Sequence, residues 1–146
     1  MLQTYFVYCR FGYDELWRIT MKNVMVCVTR QKTCERLIQF GYNFLGEDPG
    51  ELFIIHVTEP KYKFLGNSKD SDALEYLYEI AQDYGANLSV LRSDDILHTL
   101  LSLIEKNKIT HIIMGESGTN SGNSETIISK LTNKTAGTAE VVVVPA

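Results

Sequence analysis

From Met21 onward the chain alternates short apolar runs with segments of helical period. Val24-Met25-Val26-Cys27-Val28, Leu52-Phe53-Ile54-Ile55-His56-Val57, His111-Ile112-Ile113-Met114 and Val141 to Val144 are nearly uninterrupted, while Leu88-Ser89-Val90-Leu91 alternates. Unbroken runs rich in β-branched residues read as strands buried on both faces, as in a parallel sheet. Between them, Cys34, Leu37, Ile38, Gly41 and Leu45 share one helical face. Ala73, Leu77, Ile80 and Tyr84 form a second face, and Ile96, Leu97, Leu100, Leu101 and Ile104 a third. Gly41 predicts a close approach of the first helix to the sheet. Ser93 is the expected N-cap of the third helix, with Asp94 and Asp95 in its first turn and Lys106 and Lys108 near its end, an order that suits the helix dipole. The fourth helix shows only Ile127, Ile128 and Leu131 as strong apolar residues and is expected to close at Gly137.

The order β-α-β-α-β-α-β-α-β, with each connection long enough for a right-handed crossover, predicts an α/β doubly wound sheet of five parallel strands. With strand order 3-2-1-4-5, ligands bind beyond the carboxyl ends of strands one and four, where the order reverses. Thr29 and Arg30 follow strand one there. Met114 and Gly115 lead into the stretch 115–126, whose twelve residues include three Gly, three Ser, two Thr and two Asn. Such a loop supplies backbone N–H groups and hydroxyls ahead of a helix N-terminus, the chemistry that cradles phosphate. A solvated connection is the plainer alternative. No Lys-Ser or Lys-Thr pair follows the glycines, so it is not a Walker loop, and the turn after strand one has no Rossmann glycines.

Composition narrows the classes. Fourteen basic and eighteen acidic residues give a net charge of −4, which argues against a nucleic-acid partner. Cys9, Cys27 and Cys34 have no CxxC spacing, which leaves no metal cluster and fits free thiols in a reducing cytoplasm. No apolar run is long enough for membrane insertion as a helix. No catalytic set can be assembled. His56 lies inside an apolar strand and reads as a hydrogen-bonded core histidine, His98 lies on a helix flank, and His111 starts strand four, away from the ligand edge. Cys34, near Arg30, Lys32 and Arg36, is either a low-pKa thiol or a small core residue, the second being the simpler reading. At most, weak nucleotide hydrolysis is compatible with these residues.

The segments Met21 to Thr29, Thr33-Cys-Glu-Arg-Leu-Ile38, Ile54-Ile-His-Val-Thr-Glu-Pro60, Ile112-Ile-Met-Gly-Glu-Ser-Gly118 and Val141 to Pro145 together resemble the universal stress protein domain. The strand-one and helix-one segment most resembles the universal-stress-like domain of potassium-sensing histidine kinases. The resemblance implies a Rossmann-like sheet of order 3-2-1-4-5 that binds ATP or another adenine nucleotide through G-x2-G-x9-G-[S/T]. It also implies a homodimer with a signalling role in stress responses. Gly115 and Gly118 match the first two glycines of that motif, and Val57 the valine beside adenine. Ile128-Ser129 stand where the third glycine and its hydroxyl partner belong, with Thr126 as the alternative hydroxyl if the helix is shifted. Thr29 replaces the family's adenine-side Asp. Glu116 and Glu125 bring carboxylates toward any triphosphate. Two functions therefore stand: a regulatory protein binding ATP, AMP or cyclic di-AMP, and a nucleotide-free interaction domain with a degenerate loop. A phosphoacceptor receiver is excluded by Thr29 and Arg92 in place of its acidic residues, and a flavodoxin by the glycine-free turn Thr29 to Thr33.

In this strand order Val141, Val142, Val143 and Val144 lie at a sheet edge. An apolar edge needs cover, and the same strand of a second subunit is the simplest, in a two-fold antiparallel pair. The other cover is residues 1–20, which hold six of the fifteen aromatics: Tyr5, Phe6, Tyr8, Phe11, Tyr13 and Trp17. That segment is either an upstream start before the domain 21–146 or a docking arm, because six aromatics are not left in water.

Overall fold

In the computed structural model, which describes residues 21–116 and 122–145, the elements run in the expected order. They are β1 (Val24–Cys27), α1 (Gln31–Leu45), β2 (Leu52–Thr58), a 3-10 turn (Phe64–Gly66), α2 (Asp70–Tyr84), β3 (Asn87–Arg92), α3 (Ile96–Lys106), β4 (His111–Gly115), α4 (Gly122–Lys134) and β5 (Glu140–Val144). The sheet is five-stranded and parallel, ordered β3-β2-β1-β4-β5. β1 is central. Val24 pairs with Leu52 on one side and His111 on the other, and all four of its residues are buried.

The period-two alternation of the strands divides the core. Val24, Val26 and Val28 face α1 and α2 with Leu37, Ile38 and Leu77, while Met25 and Cys27 face α3 and α4 with Leu100, Ile104 and Leu131. Gly41 sits on α1 against β1, and a Cβ there would overlap Val26 Cγ2. Gly41→Val is therefore expected to cost about 1–3 kcal/mol by overpacking, read as a lowered urea midpoint at an unchanged m-value.

Two local expectations change. The N-cap of α3 is Asp95, not Ser93: Asp95 Oδ1 accepts from the His98 N–H at 3.0 Å, while Ser93 Oγ accepts from the Asp95 N–H at 3.1 Å. Ser93 thus shapes the turn two residues ahead of the cap. α4 ends at Lys134, and Gly137 (φ 87°) lies in the turn beyond it. The connection 59–70 holds the 3-10 turn, and Asp70 already begins α2.

Candidate functional site at the carboxyl edge

The parallel register brings the ends of β1 and β4 together, with Cys27 opposite Met114. Thr29 and Arg30 emerge there, both exposed. Arg30 occupies the N-cap of α1 in an extended conformation, and no side chain caps the helix. An arginine side chain carries donors only; the Thr33 N–H donates to the Arg30 carbonyl at 3.2 Å, and among the described residues the Gln31 and Lys32 amides are left to solvent or to an anion. Lys32 is exposed in the same turn. Gly115 ends β4 against α1, where a Cβ would stand 3.2 Å from Leu37 Cδ1. This glycine thus lets the strand end tuck under the helix, a packing reason that operates with or without a ligand. Met114 is half-buried and packs on the α3–α4 side.

The other predicted residues are dispersed. Val57 is half-buried on β2, opposite Leu91 of β3, and packs on the α3–α4 side. Ser129 is exposed and seven residues into α4, about 10 Å along the axis from the helix start. Thr126 falls within α4 with its side chain outside the described residues, and Gly118 lies outside them altogether. The Glu116 N–H donates to the Val144 carbonyl at 2.9 Å, which anchors the outgoing loop to β5. Val144 is buried, Val141 and Val142 are half-buried, and Val143 is exposed along the sheet's edge strand.

Two further contributors were not assigned to the site by sequence, Arg36 having been named only beside Cys34. Arg36 donates to the Pro145 carbonyl at 2.8 Å, placing a third cation of α1 beside the end of β5. Its position one turn after Lys32 was the available signal. On the opposite flank, Asn67 Nδ2 donates to Gln31 Oε1 at 3.0 Å, joining the β2–α2 connection to the start of α1.

Behind that connection His56 is buried within β2. The Leu65 N–H donates to Nε2 at 2.9 Å, so the ring proton sits on Nδ1, which donates to the Val28 carbonyl at 2.8 Å. Burial, and secondarily the Arg92 guanidinium, hold the imidazole below its ordinary pKa, although the Val28 bond opposes this. Arg92 lies 3.8 Å over the Phe64 ring and 2.7 Å from Asp70. The Phe64 N–H first, then Arg92, keeps the Asp70 carboxyl below its usual range. His56 is thus a structural bridge, as its apolar setting suggested. Cys34 is buried on α1, and burial pushes its thiol up to about 12, so at neutral pH it is a core thiol and not a reactive thiolate.

The chain has the fold of the universal stress proteins, and the expected strand order is the observed one. A universal stress protein solved in complex with cAMP superposes with a TM-score of 0.63 over 84% of this chain and 96% of that one, at 15% identity. Universal stress protein UspA from Lactobacillus plantarum gives 0.57 over 84% and 97%, at 18% identity. The Archaeoglobus fulgidus protein in complex with dAMP gives 0.56 over 84% and 96%, at 12% identity. No protein-family model matches the sequence, and no curated protein matches it. Among the described residues no helix is long and apolar enough to cross a membrane.

Proposed function

We propose that the protein is a small cytoplasmic regulator of the universal stress protein family that binds an adenine nucleotide between the ends of β1 and β4. It would signal to a partner protein as a homodimer paired through β5. The observation that carries the reading is the start of α1 at the strand-order reversal, without a side-chain cap, with Arg30 at its N-cap, Lys32 and Arg36 on its first turns, and Gly115 packed against Leu37 of the same helix. Amides and cations at one helix start favour an anion. The solved proteins of this fold in complex with cAMP and dAMP support an adenine ligand.

Thermal-shift and NMR titration with ATP, AMP, cAMP and cyclic di-AMP tests the proposal. A ligand at one hundred times its Kd raises stability by about 2.7 kcal/mol. Arg30→Glu, at an exposed position, is expected to weaken binding roughly tenfold by reversing one charge near the phosphate. No shift with any of the four at millimolar concentration would favour the second reading, a nucleotide-free interaction domain. Thr29 in place of the family's Asp, and exposed Glu116 at the start of the loop, speak for that alternative.

The dimer has a separate test. Val143 is 42% exposed on the edge strand, so Val143→Asp leaves the core untouched. The wild type is expected to scatter light as a dimer at micromolar concentration and the variant as a monomer. A monomeric wild type would remove this part of the proposal.

A further inference from the structure

A cavity of about 680 Å³ opens at the amino edge of the sheet, opposite the site above. Leu101 and Ile104 of α3 and Ile109 before β4 give it an apolar wall, and the exposed Lys108 and Lys134 stand at its rim. Met21 also lines it, so the chain reaches the domain along the cavity's own wall. The segment that ends there, residues 1–20, carries six aromatics, with Asp14 and Glu15 shortly before Trp17.

We infer that the aromatic segment 1–20 docks in this cavity of its own chain, with Trp17 as the anchor. Three residues lie between Trp17 and Met21, and the four chain steps reach up to about 14 Å when extended. The tether holds the indole near the cavity at an effective concentration on the order of millimolar. An indole offers a large apolar body and one N–H, which suits an apolar wall with a polar rim. Lys108 and Lys134 outnumber Glu105 among the lining residues, and Asp14 and Glu15 complement that excess. The inference is independent of nucleotide binding, because the cavity and the strand-order reversal lie at opposite edges of the sheet.

Trp17 is the single tryptophan of the chain, so intrinsic fluorescence reports on it alone. In the full-length protein its emission is expected to be blue-shifted relative to the urea-unfolded chain and several-fold less quenched by acrylamide, independent of protein concentration. Leu101→Asp, on the cavity wall, should return emission and quenching to water-like values with the far-UV circular dichroism retained. Val143→Asp, on the β5 edge, should change neither. A second measurement does not depend on the folding of the Leu101 variant. In a Cys9→Ser background, a nitroxide on Lys134→Cys at the rim should quench Trp17, and one on Tyr78→Cys, exposed on α2, should not. Water-like emission in the wild type, a shift that grows with protein concentration, or equal quenching from both labels would overturn the inference.

Discussion

Replacing His56 by leucine is expected to lower stability by about 2–4 kcal/mol, although leucine fills a similar volume in an apolar site. The loss comes from two buried backbone groups. The imidazole accepts from the Leu65 N–H and donates to the Val28 carbonyl, and leucine satisfies neither. Each abandoned group costs about 1–3 kcal/mol. For a domain of this size that lowers the melting temperature by roughly 8–16 °C. Leu65 is the residue most exposed to the change. It holds a left-handed conformation (φ 55°) without being glycine, and its hydrogen bond to His56 helps to hold it there. His56→Ala should cost more, because it also empties the space beside Phe64, whose ring centroid lies 5.8 Å from the imidazole. A His56→Leu variant as stable as the wild type would show that the bridge contributes nothing.

The same bridge sets a pH dependence. Protonation at Nε2 removes the acceptor that Leu65 uses and turns a second N–H toward a donor. The folded pKa lies below 6.5, the unfolded one near it, so the unfolded chain binds more protons between the two values. The stabilisation is complete above about pH 6.5 and falls as pH drops through that value toward the folded pKa, at up to about 1.4 kcal/mol per pH unit for one proton. His111 adds to the same window, since burial first and Lys22 second lower its pKa while Glu140 opposes them. Denaturant titrations from pH 7.5 to 5 should therefore show a slope that His56→Leu reduces and does not abolish. An unchanged slope would remove His56 from the account.

The sheet was legible because its strands are written as uninterrupted apolar runs, which only a doubly covered parallel sheet can bury. The faces of α1 and α2 followed from helical period alone. Local polar geometry was less legible. Ser93 and Asp95 are both good capping types, and the choice between them depends on which side chain the turn aims at His98. The bridge from His56 to Leu65 spans a connection whose sequence has no period to read. At the carboxyl edge, sequence located Thr29, Arg30 and Gly115 because strand ends are visible in the pattern. It named Arg36 only beside Cys34 and gave no sign of its partner, the Pro145 carbonyl 109 positions away. The amino-edge cavity was equally hidden, since Met21, Leu101 and Ile109 meet only after folding.

Asn23 is the second position where a single change should have a large effect, and its environment decides the size. Its side chain reaches two separate segments. Nδ2 donates to the carbonyls of Asn107 (3.3 Å) and Lys108 (3.1 Å), and Oδ1 accepts from the Glu51 N–H at 3.1 Å. Its backbone is pinned as well, with the N–H donating to Thr110 Oγ1 at 3.0 Å and the carbonyl accepting from the Thr110 N–H at 2.9 Å. The residue thus ties the entry to β2 and the α3–β4 turn to the start of the central strand. Lys108 takes a positive φ of 52°, a conformation an L side chain rarely adopts, and the Asn23 amide holds its carbonyl in place. Asn23→Leu leaves these groups unpaired at the sheet's amino edge and is expected to cost about 2–4 kcal/mol. Asn23→Asp separates the contributions: the carboxylate still accepts from Glu51 but faces two carbonyls, so at neutral pH it should be no more stable than the leucine variant. Hydrogen exchange locates the effect. The amides of Glu51 and of residues 107–111 should lose protection in both variants, while α1 and Gly115 keep theirs. Uniform loss across the sheet would mean that Asn23 sets global stability only, and that the amino edge is not a separate cooperative unit.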